Sequence, residues 1–412
     1  MNRRNVLRRL VTASALPLAT LTRVNAAPSR MKITRVRVYS PPKPNPLFNQ
    51  SDLVVTVETD AGITGIGEGG SPDTLEQSAG RLIGRDPHSI ETLWQDMSRS
   101  FFYPPGREKE DAIGALDIAL WDIKGKVLNV PVYELLGGMV RNYCECYNTA
   151  GIIPGVHAGM SVKERAQLTI EAGYRAYRMD AAGAPINTVY NTRERVNQLY
   201  EDCAQARDGV GKNGDWVVDF HQRFDLADAV RACDLIQPLA PFFVEDPVRA
   251  EAFNEDLPIL RQKTNLPIAA GEEWGNRWDF NKLVEHHDID FVRATLPNVG
   301  GISEMKKIAA ICETHFVGMV PHFTGPIATA ALVHCLGTFS GPVLMEYNFQ
   351  GKSFDYLPEC LDFKNGKLYP NQRPGIGVEL DTKPLKLITE ITQPVTNRAQ
   401  LYYRPDGSIT NW

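Results

Sequence analysis

The spacing of apolar and polar positions changes rhythm twice along the chain. Residues 31–70 alternate at period two, in MKITRVRVYS and again in DLVVTVETDAGITGIGEGG, which predicts antiparallel strands with TDAG as a turn. The linker between them, PPKPNPLFNQ, is Pro-rich and irregular. Residues 73–139 carry apolar positions at helical spacing, clearest in DAIGALDIALWDIKGKVLNVPVYELLGG, which stops at VP and GG. Asp117 and Asp122 within that helix read as structural acids. The glycines of TGIGEGG read as turns and strand ends, because no suitable crossover helix or spaced acid follows to make a dinucleotide loop.

From about residue 141 short apolar strands alternate with helices. The strands are YCECYN, YRAYRMD, WVVDFH, PFFVEDP, LPIAAGEE, IDFVRAT, FVGMVPH and PVLMEYN, with helical stretches such as VKERAQLTIEAG and ISEMKKIAAICETH between them. Eight such units, at about twenty-five residues each, predict a closed parallel α/β barrel rather than a doubly wound sheet. Residues 350–412 lose the rhythm, retain strand-like pieces such as GIGVELD, and are expected to return to the first domain.

Composition adds a few exclusions. The chain has 412 residues, 23% of them charged, and a net charge of −5 with no long basic run beyond the N-terminus, so nothing suggests a nucleic-acid surface. Residues 1–27 pattern as a leader: MNRRNVLRRL is basic, VTASALPLATL is apolar but too short to span a bilayer, and VNAAPS offers small residues for cleavage. Arg3-Arg4 suggests twin-arginine export, which predicts a periplasmic or secreted enzyme with no membrane attachment after processing. The seven cysteines contain no CxxC pair and are expected to be mostly buried free thiols.

Reactive groups of such barrels sit at the C-terminal ends of the strands. Those ends carry Arg178 and Asp180, Asp219 and His221, Glu245, Glu272, His322 and Glu346. Any one of them has a bland explanation as a cap of the next helix; the series is what points to a site. Asp219 and His221 stand two apart, the spacing that puts side chains on one face of a strand. Asp219, Glu245 and Glu272 end three successive strands, and converging carboxylates repel one another unless a cation lies between them. All-oxygen ligation favours Mg²⁺, with Mn²⁺ as the alternative, over zinc. Glu273 replaces Glu272 if the register is off by one.

The same residues carry a resemblance. Asp, Glu and Glu on successive strands, the AAGEE segment, VGGISE, PHFTGPIATAA and VLMEYN resemble the mandelate racemase branch of the enolase superfamily, and GALDIALWDIKGK with PVYELLGG resembles that family's capping domain. The resemblance implies a modified TIM barrel, (β/α)7β, in residues 141–349 under an α+β cap in residues 31–140, completed by 350–412. It implies Mg²⁺-assisted removal of the proton α to a carboxylate, on a small-molecule acid, in a homo-oligomer. The physical reason for the metal is that such a carbon acid is very weak, so concentrated positive charge must meet its carboxylate.

Within that family the chain lacks the Lys-x-Lys of racemases and cycloisomerases, having Arg178-Met179-Asp180 there. His322 lacks an acidic partner on strand six, where Thr295 stands. RMDAAGAPINTVY resembles the mannonate dehydratase subgroup, in which an arginine is followed twelve residues later by a tyrosine; Arg178 and Tyr190 have that spacing. The resemblance makes Tyr190 a base whose phenol Arg178 acidifies, with His322 the other candidate, and makes His221 the general acid. Glu346 would hydrogen-bond the substrate or support His322. PHFTGPI is nearer to galactonate dehydratase-like members, and Asp180 stands where Gln is commoner, which leaves the acid sugar open.

The expected activity is therefore dehydration of an aldonate such as D-mannonate or D-gluconate to a 2-keto-3-deoxy acid. A racemase, epimerase or cycloisomerase on the same scaffold is the second reading, and a non-catalytic periplasmic acid-sugar binding protein the third. Residues 41–50 and SFFYPPGRE at 100–108 are candidate cap loops over the substrate.

Overall fold

Strands β1 (Ile33–Ser40), β2 (Val54–Thr59) and β3 (Thr64–Glu68) form an antiparallel meander, registered by Val36 opposite Val57 and Thr56 opposite Ile66. The computed structural model describes residues 31–43, 51–149, 153–157, 159–180, 189–350, 352–395 and 401–410. The leader expected at 1–27, and residues 44–50 of the Pro-rich linker, lie outside those residues. The helix Arg107–Leu128 lies directly on β3: a Cβ on Gly65 or Gly67 would run into the Ala119 or Ala115 carbonyl. Close backbone approach is thus what the glycines of TGIGEGG provide.

The barrel strands are β4 (Cys144–Thr149), β5 (Ala176–Asp180), β6 (Asp215–Asp219), β7 (Val244–Glu245), β8 (Ile268–Ala270), β9 (Phe291–Val292), β10 (Gly318–Met319) and β11 (Met345–Glu346). They pair in parallel in that order, and β11 closes the ring on β4. A single bridge, Met319 to Val343, joins β10 to the run into β11. Among the described residues seven helices occupy the crossovers, from Val162–Glu171, started by a Ser161–Glu164 capping box, to Pro326–Thr338. The (β/α)7β barrel with an N-terminal α+β cap is the architecture read from the sequence.

The segment 350–412 divides between the two halves, where the sequence reading sent all of it to the cap. Strands β12 (Asp362–Lys364) and β13 (Lys367–Tyr369) form a hairpin that adds antiparallel to β4. Cys144 and Glu145 precede the part of β4 that its barrel neighbours use, and the hairpin satisfies that exposed backbone. Strand β14 (Lys386–Ile391) then pairs with β1.

Cap and barrel are joined by buried hydrogen bonds. Asp117 accepts from the Ser303 amide at 2.9 Å and hydroxyl at 2.6 Å, capping the helix Ile302–Thr314. Asp122 accepts from the Ile66 and Ile376 amides, both at 2.9 Å. Glu68 accepts from the Ala328 amide at 2.9 Å. These acids hold backbone donors, which is the structural role expected for Asp117 and Asp122. All seven cysteines are free thiols, six of them buried and Cys360 partly so.

Inside the barrel each strand contributes one residue to an apolar layer: Tyr147, Ala176, Val217, Phe243, Ala269, Val320 and Leu344, with Phe291 packed against them. This floor positions everything above it.

Candidate active site

Two residues beyond each floor residue, the next inward side chains are Thr149, Arg178, Asp219, Glu245, Gly271, Arg293, His322 and Glu346. Side-chain alternation along β-structure explains the step from an apolar layer to a polar ring. Apart from Thr149, which is partly buried, and Gly271, every ring member is a buried polar or charged side chain.

The ring brings together most of the residues read from sequence. Arg178 donates to Glu245 at 3.0 Å, to Thr149 at 3.4 Å and to Asp219. Glu346 accepts from Thr149, from Arg293 at 3.2 Å and from the Phe323 amide at 3.2 Å. His322 Nε2 lies 3.3 Å from Glu272 Oε2, so the acidic partner missing at Thr295 is supplied by Glu272; the Thr295 hydroxyl turns to the Glu272 carbonyl at 3.5 Å. His221 Nδ1 lies 3.9 Å from Asp219 Oδ2, and its amide donates to Asp219 Oδ1 at 2.6 Å. Strand alternation is not what places it. β6 ends at Asp219, and His221 and Gln222 have φ of 52° and 58°, a left-handed turn that swings the imidazole back beside the carboxylate.

The carboxylates that lie close enough together to hold a cation share two members with the expected triad. Asp219, Glu245 and Asp246 each offer a carboxylate oxygen, and these atoms lie within 4.8 Å of one another. Glu272 instead gives Oε2 to Arg293, at 3.0 Å, and to His322. Glu273, the alternative, is taken by Arg107 of the cap and by Gln222, both at 3.0 Å. Asp246 Oδ2 is buried without a hydrogen-bond partner, with Arg293 Nε 3.7 Å away. Burial drives the Asp219, Glu245 and Asp246 carboxyls above the ordinary range, neighbouring carboxylates add to it, and the guanidinium groups oppose it. A buried all-oxygen group with an orphaned oxygen and too little positive charge fits a divalent cation.

Glu272 behaves differently. Burial would raise it, but His322 and Arg293 outweigh burial and bring it down to about 2. Burial also favours the neutral form of both imidazoles, lowering His221 and His322, while Glu272 opposes the shift in each.

The Arg178–Tyr190 pair expected from the resemblance is not seen as a hydrogen bond among the described residues. Arg178 is drawn inward by the carboxylates, and Tyr190 is not among its partners. Tyr190 is 37% exposed, and desolvation raises its phenol above 10.0. The residues 181–188 between them lie outside the described set. On the cap, the Arg107–Glu273 ion pair brings the end of the 100–108 stretch to the barrel mouth, while Phe102 and Tyr103 are exposed.

Three residues were missed by sequence reasoning. Asp246 directly follows a ligand-like Glu245, and its φ of 41° turns it inward where alternation would send it outward. Tyr147 reaches up from the floor, its hydroxyl 3.4 Å from both Glu245 and Glu346. Arg293 is fully buried and lies two residues past Phe291, the same offset that marks Asp219 from Val217. That offset was the available signal.

Comparison with known proteins places this geometry. Residues 45–137 match the family model described as "Mandelate racemase / muconate lactonizing enzyme, N-terminal domain", and residues 161–384 match "Enolase C-terminal domain-like". The chain is 37% identical to a D-galactonate dehydratase of Xanthomonas oryzae pv. oryzae and 34% identical to one of Pectobacterium atrosepticum, each over 93% of this chain and the whole of the relative. A putative dehydratase of Salmonella enterica superposes with a TM-score of 0.81 at 25% identity, over 88% of this chain and all of that one. One from Mesorhizobium loti gives 0.78 at 26%, over the same shares.

Proposed function

The chain belongs to the mandelate racemase/muconate lactonizing enzyme family of the enolase superfamily, and on that premise we propose that it is a Mg²⁺-dependent acid-sugar dehydratase. It is a carbon–oxygen lyase that converts an aldonate to its 2-keto-3-deoxy acid. The observation that carries the reading is the ring: His221 and His322 flank one buried carboxylate cluster, each beside an acid. D-Galactonate is the first substrate to try, because the relatives' names point to it; D-mannonate and D-gluconate follow.

Bound Mg²⁺, or Mn²⁺ in its place, supplies Lewis acidity toward the substrate carboxylate. Asp219, Glu245 and Asp246 would hold it. The chain's own residues then move two protons. The His322 imidazole takes the proton from the carbon α to the carboxylate, and Glu272 beside it stabilises the imidazolium. The β carbon–oxygen bond breaks, and His221 gives a proton to the departing hydroxyl, which leaves as water. The enol that remains tautomerises to the keto acid. Glu346, held by Thr149, Arg293 and Phe323, keeps the ring in place, and Arg178 bridges Asp219 and Glu245. The base role thus passes from Tyr190 to His322.

The test incubates the three aldonates with enzyme and Mg²⁺ and measures 2-keto acid. Product is expected from wild type and from Tyr190→Phe, with severe loss in His322→Asn and His221→Asn. No keto acid from any of the three, in a protein that binds Mg²⁺, would sink the dehydratase reading. We also infer export directed by residues 1–27, supported by Arg3-Arg4 and the apolar run after it, and a homo-oligomeric enzyme. Cell fractionation and light scattering test these two points; a full-length cytosolic chain and a monomer are the outcomes against them.

A further inference from the structure

Arg293 enters the scheme above only as a partner of Glu346, yet it sits at the centre of the ring. Its side chain is wholly buried, and one nitrogen, Nη2, lies 2.9 Å from Glu245, 3.0 Å from Glu272 and 3.2 Å from Glu346. Those acids end β7, follow β8 and end β11, so a single group ties three separate strand ends together. Nη1 donates to the Tyr147 hydroxyl and, at 3.3 Å, to the Val320 carbonyl, which fixes the guanidinium against the floor.

The charge balance gives this placement its meaning. Five carboxyl groups, Asp219, Glu245 and Glu346 of the ring and Asp246 and Glu272 beside it, face two guanidinium groups, Arg178 and Arg293. Buried like charges at such range are strongly unfavourable unless compensated. A nitrogen with three carboxylates around it does part of what a metal ion does. It also has a cost for metal binding, because Glu245, a candidate ligand, gives Oε1 to Arg293, and the neighbouring Glu272 gives it Oε2.

We propose that Arg293 is a resident counter-cation of the barrel: a positioning residue that holds Glu245, Glu272 and Glu346 together in the metal-free protein and sets the affinity of the site for a divalent cation. Arg293 partly neutralises the cluster and occupies two of its carboxylates, so the ion binds less tightly than the acids alone would allow. The metal-free barrel, in turn, does not need the ion to hold its mouth closed.

The experiment measures Mg²⁺ binding by calorimetry, and melting temperature with and without Mg²⁺, on chelator-treated full-length protein. Arg293→Met removes the charge and keeps the bulk. It is expected to bind Mg²⁺ about tenfold or more tightly than wild type, the scale on which one neighbouring charge shifts an ionic equilibrium at this range. Its metal-free form is expected to melt lower, and the gain in melting temperature on adding Mg²⁺ to be larger. Arg293→Lys keeps the charge and should stay close to wild type in affinity. An Arg293→Met protein that binds Mg²⁺ no more tightly than wild type overturns the proposal.

If Arg293→Met folds only with Mg²⁺, the counter-cation role is supported. If it folds under neither condition, Arg293→Met combined with Glu346→Gln restores the wild-type net charge. That pair is expected to fold without metal, and its failure to do so overturns the proposal. The inference rests on the reading that the mouth takes a divalent ion. Wild type that binds no Mg²⁺ overturns both, whereas wild type that binds while Arg293→Met is unmoved overturns this one alone.

Discussion

The floor and the ring of the barrel are two residues apart on every strand and obey opposite rules. The floor is apolar, close-packed and indifferent to charge; Phe243, Val217 and Leu344 fill space. The ring is held by ion pairs that would be poor stabilisers in their own right, because desolvation offsets most of their attraction. The difference teaches where stability and chemistry separate in this fold. The floor makes the barrel stand, and the ring uses that rigidity to keep repelling groups close.

The comparison breaks most sharply through Glu245, which belongs to the cation-binding group and to both arginines. Glu245→Gln should reduce keto acid formation by at least about a hundredfold, the upper end of what disturbing a metal site's outer partners costs. Its melting temperature in chelator should change little, and a large fall there would mean that the ring carries stability after all. The opposite result is expected one layer down. Phe243→Ala should lower unfolding stability by about 3–5 kcal/mol in denaturant titrations, while the protein that remains folded keeps its Mg²⁺ affinity.

A buried acid outside both layers sharpens the contrast. Glu346, between guanidinium groups, is held well below the usual carboxyl range although burial would raise it. Glu68, in the cap's seam with the barrel, is raised by burial and by the neighbouring Asp52 and Asp111, and is pushed up to about 8. A carboxyl raised on folding stabilises the fold fully below its unfolded value near 4, and that contribution is lost as pH rises through about 8. Melting curves from about pH 6 to about pH 9 should therefore fall less steeply for Glu68→Gln than for wild type, since the amide mimics the protonated acid. Parallel curves would contradict the assignment. The smallest effect is expected at Tyr147, a floor residue whose hydroxyl touches the ring. Tyr147→Phe should cost about 1 kcal/mol of stability, with at most a modest change in Mg²⁺ affinity by calorimetry.

Much of this was readable from the chain because apolar runs ending in a polar residue are unusual. The eight barrel strands stand where WVVDFH, PFFVEDP and their companions placed them, and Asp219 and Glu245 lie in the ring as expected. The rest was not legible for separate physical reasons. Period-two reasoning holds only while a segment stays extended, and β7 is two residues long. Beyond it Asp246 turns left-handed, which brings its carboxylate beside those of Asp219 and Glu245, a position that alternation does not foretell. Tyr190 was joined to Arg178 by a family resemblance and its twelve-residue spacing. Spacing carries no information about which of several acids claims a guanidinium once it is buried. Arg293 stands just past a two-residue strand, where a lone basic residue in a sequence reads as a solvated strand end.

The pairing of β1 with β14 has a consequence for how the protein is made. Arg37 and Glu390 are bonded across 353 residues of chain, so β1 waits for its outer partner until all of that chain has been made. A ribosome translating this message carries a cap with one bare strand edge until β14 emerges. An exposed edge is the state in which nascent chains most readily pair with one another, so β14 acts as the lock that ends that exposure.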